Sequence, residues 1–193
     1  MKKLTFTLLS LILMTAGLWA DSSEQKTKTG SIAVVYFSAT GTTKKMAESL
    51  SSEIKADIYE IVPVHKYTEA DLNWQDKKSL TTIECNDPKS RPEIKDVVDP
   101  VETTAFDISG YDTVILCYPI WWAYAPKIIY TFVESQSWTG KNLITLCTSG
   151  GGGLGRSGKE LAKIAEGCDY KGGKDFTRAK AEKIKKYVEG LLK

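Results

Sequence analysis

Four short runs of nearly unbroken apolar residues constrain this chain more than any other feature. They are SIAVVYF at residues 31–37, YDTVILCY at 111–118, NLITLCT at 142–148 and, more weakly because a proline interrupts it, IYEIVPV at 58–64. A strand with one wet face alternates apolar and polar residues, whereas an unbroken run marks a strand covered on both faces, as in a parallel sheet between helices. Helical spacing fills the gaps. Met46, Ala47, Leu50 and Ile54 fall on one face of a predicted helix over 43–54, residues 126–133 and 157–165 read similarly, and Ala181, Ile184, Val188 and Leu191 form the stripe of a last helix. A fifth strand is predicted over 169–176, short or bulged at Gly172-Gly173. Strands alternating with helices imply right-handed crossovers and an α/β three-layer sandwich: a five-stranded parallel sheet with helices on both faces. Residues 65–106 are polar, acidic and broken by Pro88, Pro92 and Pro100, so they read as an insertion with at most one helix.

The first twenty residues have a different character. Lys2 and Lys3 precede an apolar stretch over 4–18 that ends in Leu18-Trp19-Ala20 before Asp21. At about 15 residues the stretch falls short of the ~20 that span a bilayer. It therefore reads as a cleaved signal peptide over 1–20, with an uncleaved anchor or a core helix as competing readings. No cysteine follows for lipid attachment and no arginine pair precedes it. The expectation is an exported, periplasmic or secreted protein, translocated unfolded and without a stable membrane anchor after cleavage. Residues 21–29 are polar and aperiodic, a flexible lead-in to a domain over 30–193. That length suits one core.

Without Lys2 and Lys3 the chain carries 24 basic and 24 acidic side chains. A near-neutral balance argues against nucleic-acid binding, which leaves a basic footprint. Cys117 and Cys147 lie inside apolar runs, where a buried thiol is expected; a bridge between Cys85 and Cys168 is open. There is no CxxC pair, and His65 is the only histidine, so a zinc site or histidine-based nucleophile chemistry has little support.

Three loops leave the carboxyl ends of predicted strands, where open parallel sheets bind ligands. The first, Ser38-Ala39-Thr40-Gly41-Thr42-Thr43, sets four hydroxyls around one glycine at a helix start. Unpartnered N–H groups and the positive end of the helix dipole favour an anion there, and hydroxyls add donors without charge. A simple helix cap would use only one of them. The second, Tyr118-Pro119-Ile120-Trp121-Trp122-Ala123-Tyr124-Ala125-Pro126, holds aromatics between prolines and offers faces for a flat ring, although packing or a dimer contact would also use them. In the third, Ser149-Gly150-Gly151-Gly152-Gly153-Leu154-Gly155, glycines let the backbone approach a ligand. GLGRSGKE at 153–160 nearly spells a P-loop, but Glu160 stands where Ser or Thr should hold magnesium.

In this order the three loops resemble those of the flavodoxin family, over nearly all of residues 30–193. The resemblance implies the sheet order 2-1-3-4-5 and an FMN site. Ser38, Thr40 and Thr43 would donate side-chain bonds to its phosphate, together with the N–H groups of Gly41 and Thr42. The loop of Pro119, Ile120, Trp121, Trp122, Ala123 and Tyr124 would stack on the flavin, and Ser149, Gly150, Gly151, Gly152 and Gly155 would close the other side. The segments YTEADLNW at 67–74 and ECNDPKSRP at 84–92 are similar to parts of a bacterial subgroup. By the same resemblance Trp74 could reach the flavin edge, although a core or insertion anchor is the more usual role of a lone tryptophan. Related sequences often carry glycine where Ala123 stands, and alanine resists positive φ.

The implied function is electron transfer through FMN with a redox partner protein or small electron acceptor. An NAD(P)H-dependent quinone or flavin reductase and a cofactor-free interaction module are the alternatives.

Overall fold

The computed structural model describes residues 31–193; the predicted signal peptide and lead-in lie outside them. Six strands and five α-helices follow one another as β1 (Ile32–Tyr36), α1 (Thr42–Ile54), β2 (Asp57–Pro63), α2 (Leu80–Asn86), β3 (Ile94–Val98), β4 (Thr113–Pro119), α3 (Lys127–Glu134), β5 (Asn142–Thr148), α4 (Ser157–Ile164), β6 (Asp169–Asp175) and α5 (Ala181–Leu191).

The sheet is mixed and ordered β3-β2-β1-β4-β5-β6. This corrects the expectation of five parallel strands. The five parallel strands do lie in the expected relative sequence, and β3 joins them as an antiparallel edge beside β2, with Ile61 opposite Val97 and Val62 opposite Asp96. β3 comes from the insertion. It escapes the apolar-run criterion because an edge strand needs no continuous apolar face, and IKDVV carries Lys95 and Asp96 in its middle. The register slips between Val62 and Pro63, at the proline that weakened the β2 signal. β6 likewise slips as it passes Gly172.

Two apolar layers cover the sheet. On one face Val34, Tyr36, Ile115, Cys117, Ile144 and Leu146 pack with Met46, Ala47 and Leu50 of α1 and with Ile184 and Val188 of α5. On the other, Val35, Phe37, Leu116, Tyr118 and Leu143 pack with Ile128, Ile129, Phe132 and Val133 of α3 and Leu161 of α4. The period-two split of β1 and β4 between the layers explains their unbroken runs: both faces are core. All four thiols are free, with Cys117 and Cys147 buried.

Candidate functional site

Strand order reverses between β1 and β4, because the chain leaves β1 toward β2 on one side and later builds β4, β5 and β6 on the other. Loops from the carboxyl ends of β1 and β4 therefore flank a crevice, the usual ligand position in this architecture.

The first loop leads into α1 through Gly41, the helix N-cap, at φ 86°. Only glycine takes that angle without strain. No side chain caps this helix, so the cap reading of the hydroxyls is set aside. Ser38 Oγ accepts the Gly41 N–H at 3.1 Å, which shapes the loop and leaves the Ser38 proton to donate. Thr40 and Thr42 are exposed, with hydroxyls 3.5 Å apart. Thr43 differs: it is 1% exposed, and its hydroxyl meets that of Thr148 at 2.8 Å. The structure thus makes Thr43 a tie between the first and third loops.

The second loop begins at Pro119, which lies in register with Thr148, and Ile120 N–H donates to the Thr148 carbonyl at 2.8 Å. Trp121 and Tyr124 then exchange two backbone bonds, of 2.9 and 2.8 Å, around Trp122 (φ 52°) and Ala123 (φ 65°). Two successive positive φ angles inside a doubly bonded pair define a two-residue type I′ turn, a geometry that favours Asn and Gly. Ala123 adopts the positive φ that its side chain was expected to resist. An L-residue in this region costs roughly 1–2 kcal/mol, and such strain concentrates at functional sites. The turn fixes two different indoles. Trp121 is locked edge-on against Tyr67 and Phe37, with ring centroids 5.2 and 5.7 Å away, whereas Trp122 is 44% exposed.

In the third loop Ser149 is an organiser. Its hydroxyl donates to Asp175 Oδ2 and accepts the N–H groups of Gly151 (3.1 Å) and Gly153 (3.0 Å), while its own N–H donates to Thr177 Oγ1. Burial raises the Asp175 pKa, but the bonds from Ser149 and Thr177 outweigh it, and the carboxyl ends below its usual range. A Cβ built at Gly150, Gly151 or Gly152 would meet nothing within 4 Å, so this backbone is open to a ligand. Gly155 stands against the Ala123 carbonyl, where a Cβ would sit at 3.4 Å, and Arg156 donates to Tyr124 Oη at 3.3 Å. The second and third loops are thereby neighbours. Glu160, which spoils the P-loop pattern, pairs with Arg156 and accepts a bond from Tyr130.

Four predicted residues, Thr40, Ile120, Trp121 and Trp122, line one cleft of about 360 Å³. The rest of its wall comes from the insertion: Leu72, Trp74 and Thr81. Trp74 is 67% exposed, which overturns its reading as a core anchor. The insertion is built to hold this wall. Asp71 Oδ2 accepts the Thr68 N–H (2.8 Å) and hydroxyl (2.7 Å) and lies 3.0 Å from His65 Nε2. The Thr68 and His65 bonds lower the Asp71 pKa to about 2. The Asp71 carbonyl accepts both the N–H and the hydroxyl of Thr81, and Tyr67 Oη donates to the buried Glu84 at 2.9 Å. Burial pushes the Glu84 pKa up. Leu72 and Thr81 carried no sequence signal as site residues, although Thr68-x-x-Asp71 has the spacing of a local side-chain-to-backbone lock.

A doubly wound sheet with a hydroxyl-lined, uncapped helix start beside an aromatic turn and an open glycine backbone defines an α/β protein suited to a phosphorylated ligand with a flat ring. The chain belongs to the flavodoxin family: a profile of that family, described as flavodoxin, matches residues 31–191. Among solved structures it is similar to a provisionally assigned flavoprotein from Bacteroides eggerthii DSM 20697, at 40% identity and TM-score 0.76 over 84% of this chain and 98% of that one. A second, from Bacteroides uniformis ATCC 8492, is 38% identical with TM-score 0.74 over 83% and 98% of the two chains. A flavoprotein from Lactobacillus acidophilus NCFM, solved in complex with FMN, shares the fold at 23% identity and TM-score 0.59 over 85% and 99%. None of the curated proteins compared with the chain matches it.

Proposed function

We propose that the protein binds FMN at the carboxyl edge of the sheet and serves as an exported electron carrier. The observation that carries this reading is the uncapped start of α1, whose cap Gly41 and exposed hydroxyls of Thr40 and Thr42 sit beside the cleft formed by the tryptophan turn. The donor set suits a phosphate: backbone N–H groups at a helix start, with hydroxyls that bind through hydrogen bonds. The complex of the Lactobacillus acidophilus relative with FMN and the family membership support the cofactor's identity.

Bound FMN supplies the capacity to take up and release one or two electrons. The chain's part is to bind, orient and shield. Gly41, Thr42, Ser38 and Thr40 would hold the phosphate, the tryptophan turn would exclude water from the ring, and the glycine loop would face the ring's polar edge. The Asp175 carboxylate, hydrogen-bonded to Ser149 beneath that loop, would disfavour further negative charge on a ring held there and so would lower its reduction potential. The partner would be a redox protein or small electron acceptor outside the cytoplasm, in keeping with the Lys2-Lys3 and apolar pattern that opens the chain.

Titrating the purified protein with FMN, while following tryptophan fluorescence and the visible flavin spectrum, tests the reading. Quenching with a shifted flavin band is expected, and Thr40→Glu should abolish both, because a carboxylate beside a phosphate repels it. A wild-type protein that leaves the flavin spectrum unchanged would overturn the proposal.

A further inference from the structure

We infer that the insertion is a preformed cover for the hydrocarbon edge of the flavin ring, with the Trp74 indole as its contact surface. This rests on the FMN reading above and deepens it. The cleft that the insertion closes is continuous with the phosphate loop through Thr40 and with the tryptophan turn through Ile120, Trp121 and Trp122. At about 360 Å³ it is of ring-ligand size. No glycine-loop residue lines it, so it lies on the side of the tryptophan turn away from that loop's open backbone.

The polarity of the two sides orients the occupant. Leu72, Trp74, Ile120, Trp121 and Trp122 offer hydrocarbon and indole, and no ionisable side chain lines the cleft. Of its two hydroxyls, that of Thr81 is spent on the Asp71 carbonyl at 2.6 Å. The cleft meets a ring mainly with hydrocarbon and indole faces, its other donors being the Thr40 hydroxyl and the indole N–H groups, whereas the glycine loop offers a run of open backbone, so a dimethylbenzene edge loses least on the cleft side and the ring's carbonyls and nitrogens gain most on the other. The polar edge therefore faces the glycine loop, and the methyl-bearing edge lies under Trp74.

Two observations separate this from incidental exposure. Trp74 and Trp122, exposed by 67% and 44%, are the two tryptophans among the exposed large hydrophobic residues, and both line this cleft. Trp74 also sits on a fixed base, because the Thr68–Asp71–Thr81 bonds fold residues 68–81 back on themselves, and Tyr67 ties the segment to Glu84 on one side and to the Trp121 ring on the other. Little ordering would be required when the ring arrives.

The test uses the whole protein, Trp74→Ala and Trp74→Phe, each titrated with FMN and then loaded with 8-chloro-FMN and exposed to thiophenol. The thiolate forms a carbon–sulfur bond at the methyl-bearing edge and expels chloride, so the rate reads access to that edge. Wild type should protect the chlorine. Trp74→Ala should bind FMN about twofold to tenfold more weakly, the range expected for one lost aromatic contact, and should react faster with thiophenol, with Trp74→Phe between. Wild-type binding with unchanged affinity and thiophenol rate in both variants would overturn this inference alone. Failure of the wild type to bind FMN would overturn both readings. Because Trp74 is exposed, thermal unfolding of the variants should match wild type, and the Phe variant keeps the test decisive if Ala disturbs the insertion.

Discussion

Replacing Ala123 by glycine should stabilise the free protein, although it removes a side chain. The residue holds φ 65° at the second central position of the Trp121–Tyr124 turn and is exposed, so its methyl contributes little packing. Relief of left-handed strain is worth roughly 1–2 kcal/mol. Against it stands the larger conformational freedom that glycine gives the unfolded chain, about 0.4–1 kcal/mol. The difference leaves a net gain of about 0.5–1 kcal/mol, or roughly 2–4 °C of melting temperature per kcal/mol for a domain of this size. Urea titration with an unchanged slope would assign the shift to stability and not to a change in the denatured state. Ala123→Val should move the other way by at least about 1 kcal/mol, since branching at Cβ worsens the same clash. A neutral or destabilising glycine together with a tolerated valine would refute the reasoning, because the turn could not then be held at positive φ.

Thr43→Val should cost about 1–3 kcal/mol by leaving the buried Thr148 hydroxyl without its partner, and Thr43→Val with Thr148→Val should recover most of that, as read by a double-mutant cycle in urea. Glu84→Gln should raise the melting temperature at pH 7. The Glu84 carboxyl has a folded pKa above its unfolded value, so the stability linked to its protonation is present below the unfolded pKa and is lost as pH rises through the folded one. Glutamine still accepts from Tyr67 without carrying the charge, and its advantage should vanish in melts near pH 4.

The parts of this fold that sequence reveals are those where one physical requirement acts on consecutive residues. β1, β4 and β5 are covered on both faces, so nearly every position is apolar and the runs are visible. The hydroxyl-rich and glycine loops show for a related reason: a helix start suited to an anion gathers its hydroxyls and glycine within a few residues. β3 and the Trp74 wall are different. β3 is defined by its pairing with β2, and nothing within IKDVV announces that partner. Leu72, Trp74 and Thr81 reach the cleft because hydrogen bonds fold the insertion on itself and the Tyr67 ring packs on Trp121, a relation between segments some 40 residues apart in sequence. Trp74 and Trp121 look alike in the sequence, yet one faces the cleft in the open and the other is wedged between Phe37 and Tyr67.

The two borders of the sheet govern how copies of this protein meet. β3 carries Lys95 and Asp96, and its outer side is already partly occupied, since Phe106 N–H donates to the Val97 carbonyl and Val98 bridges Ala105. At the far border β6 shifts register between Tyr170 and Gly172 and bears Asp169, Lys171, Lys174 and Asp175. Neither margin presents the flat, uncharged ribbon that strand-by-strand polymerisation requires. Growth of the sheet from molecule to molecule is therefore blocked at both ends, which leaves the loop end, where the aromatic turn stands, as the part of the sheet's rim not closed by charge or by a covered edge.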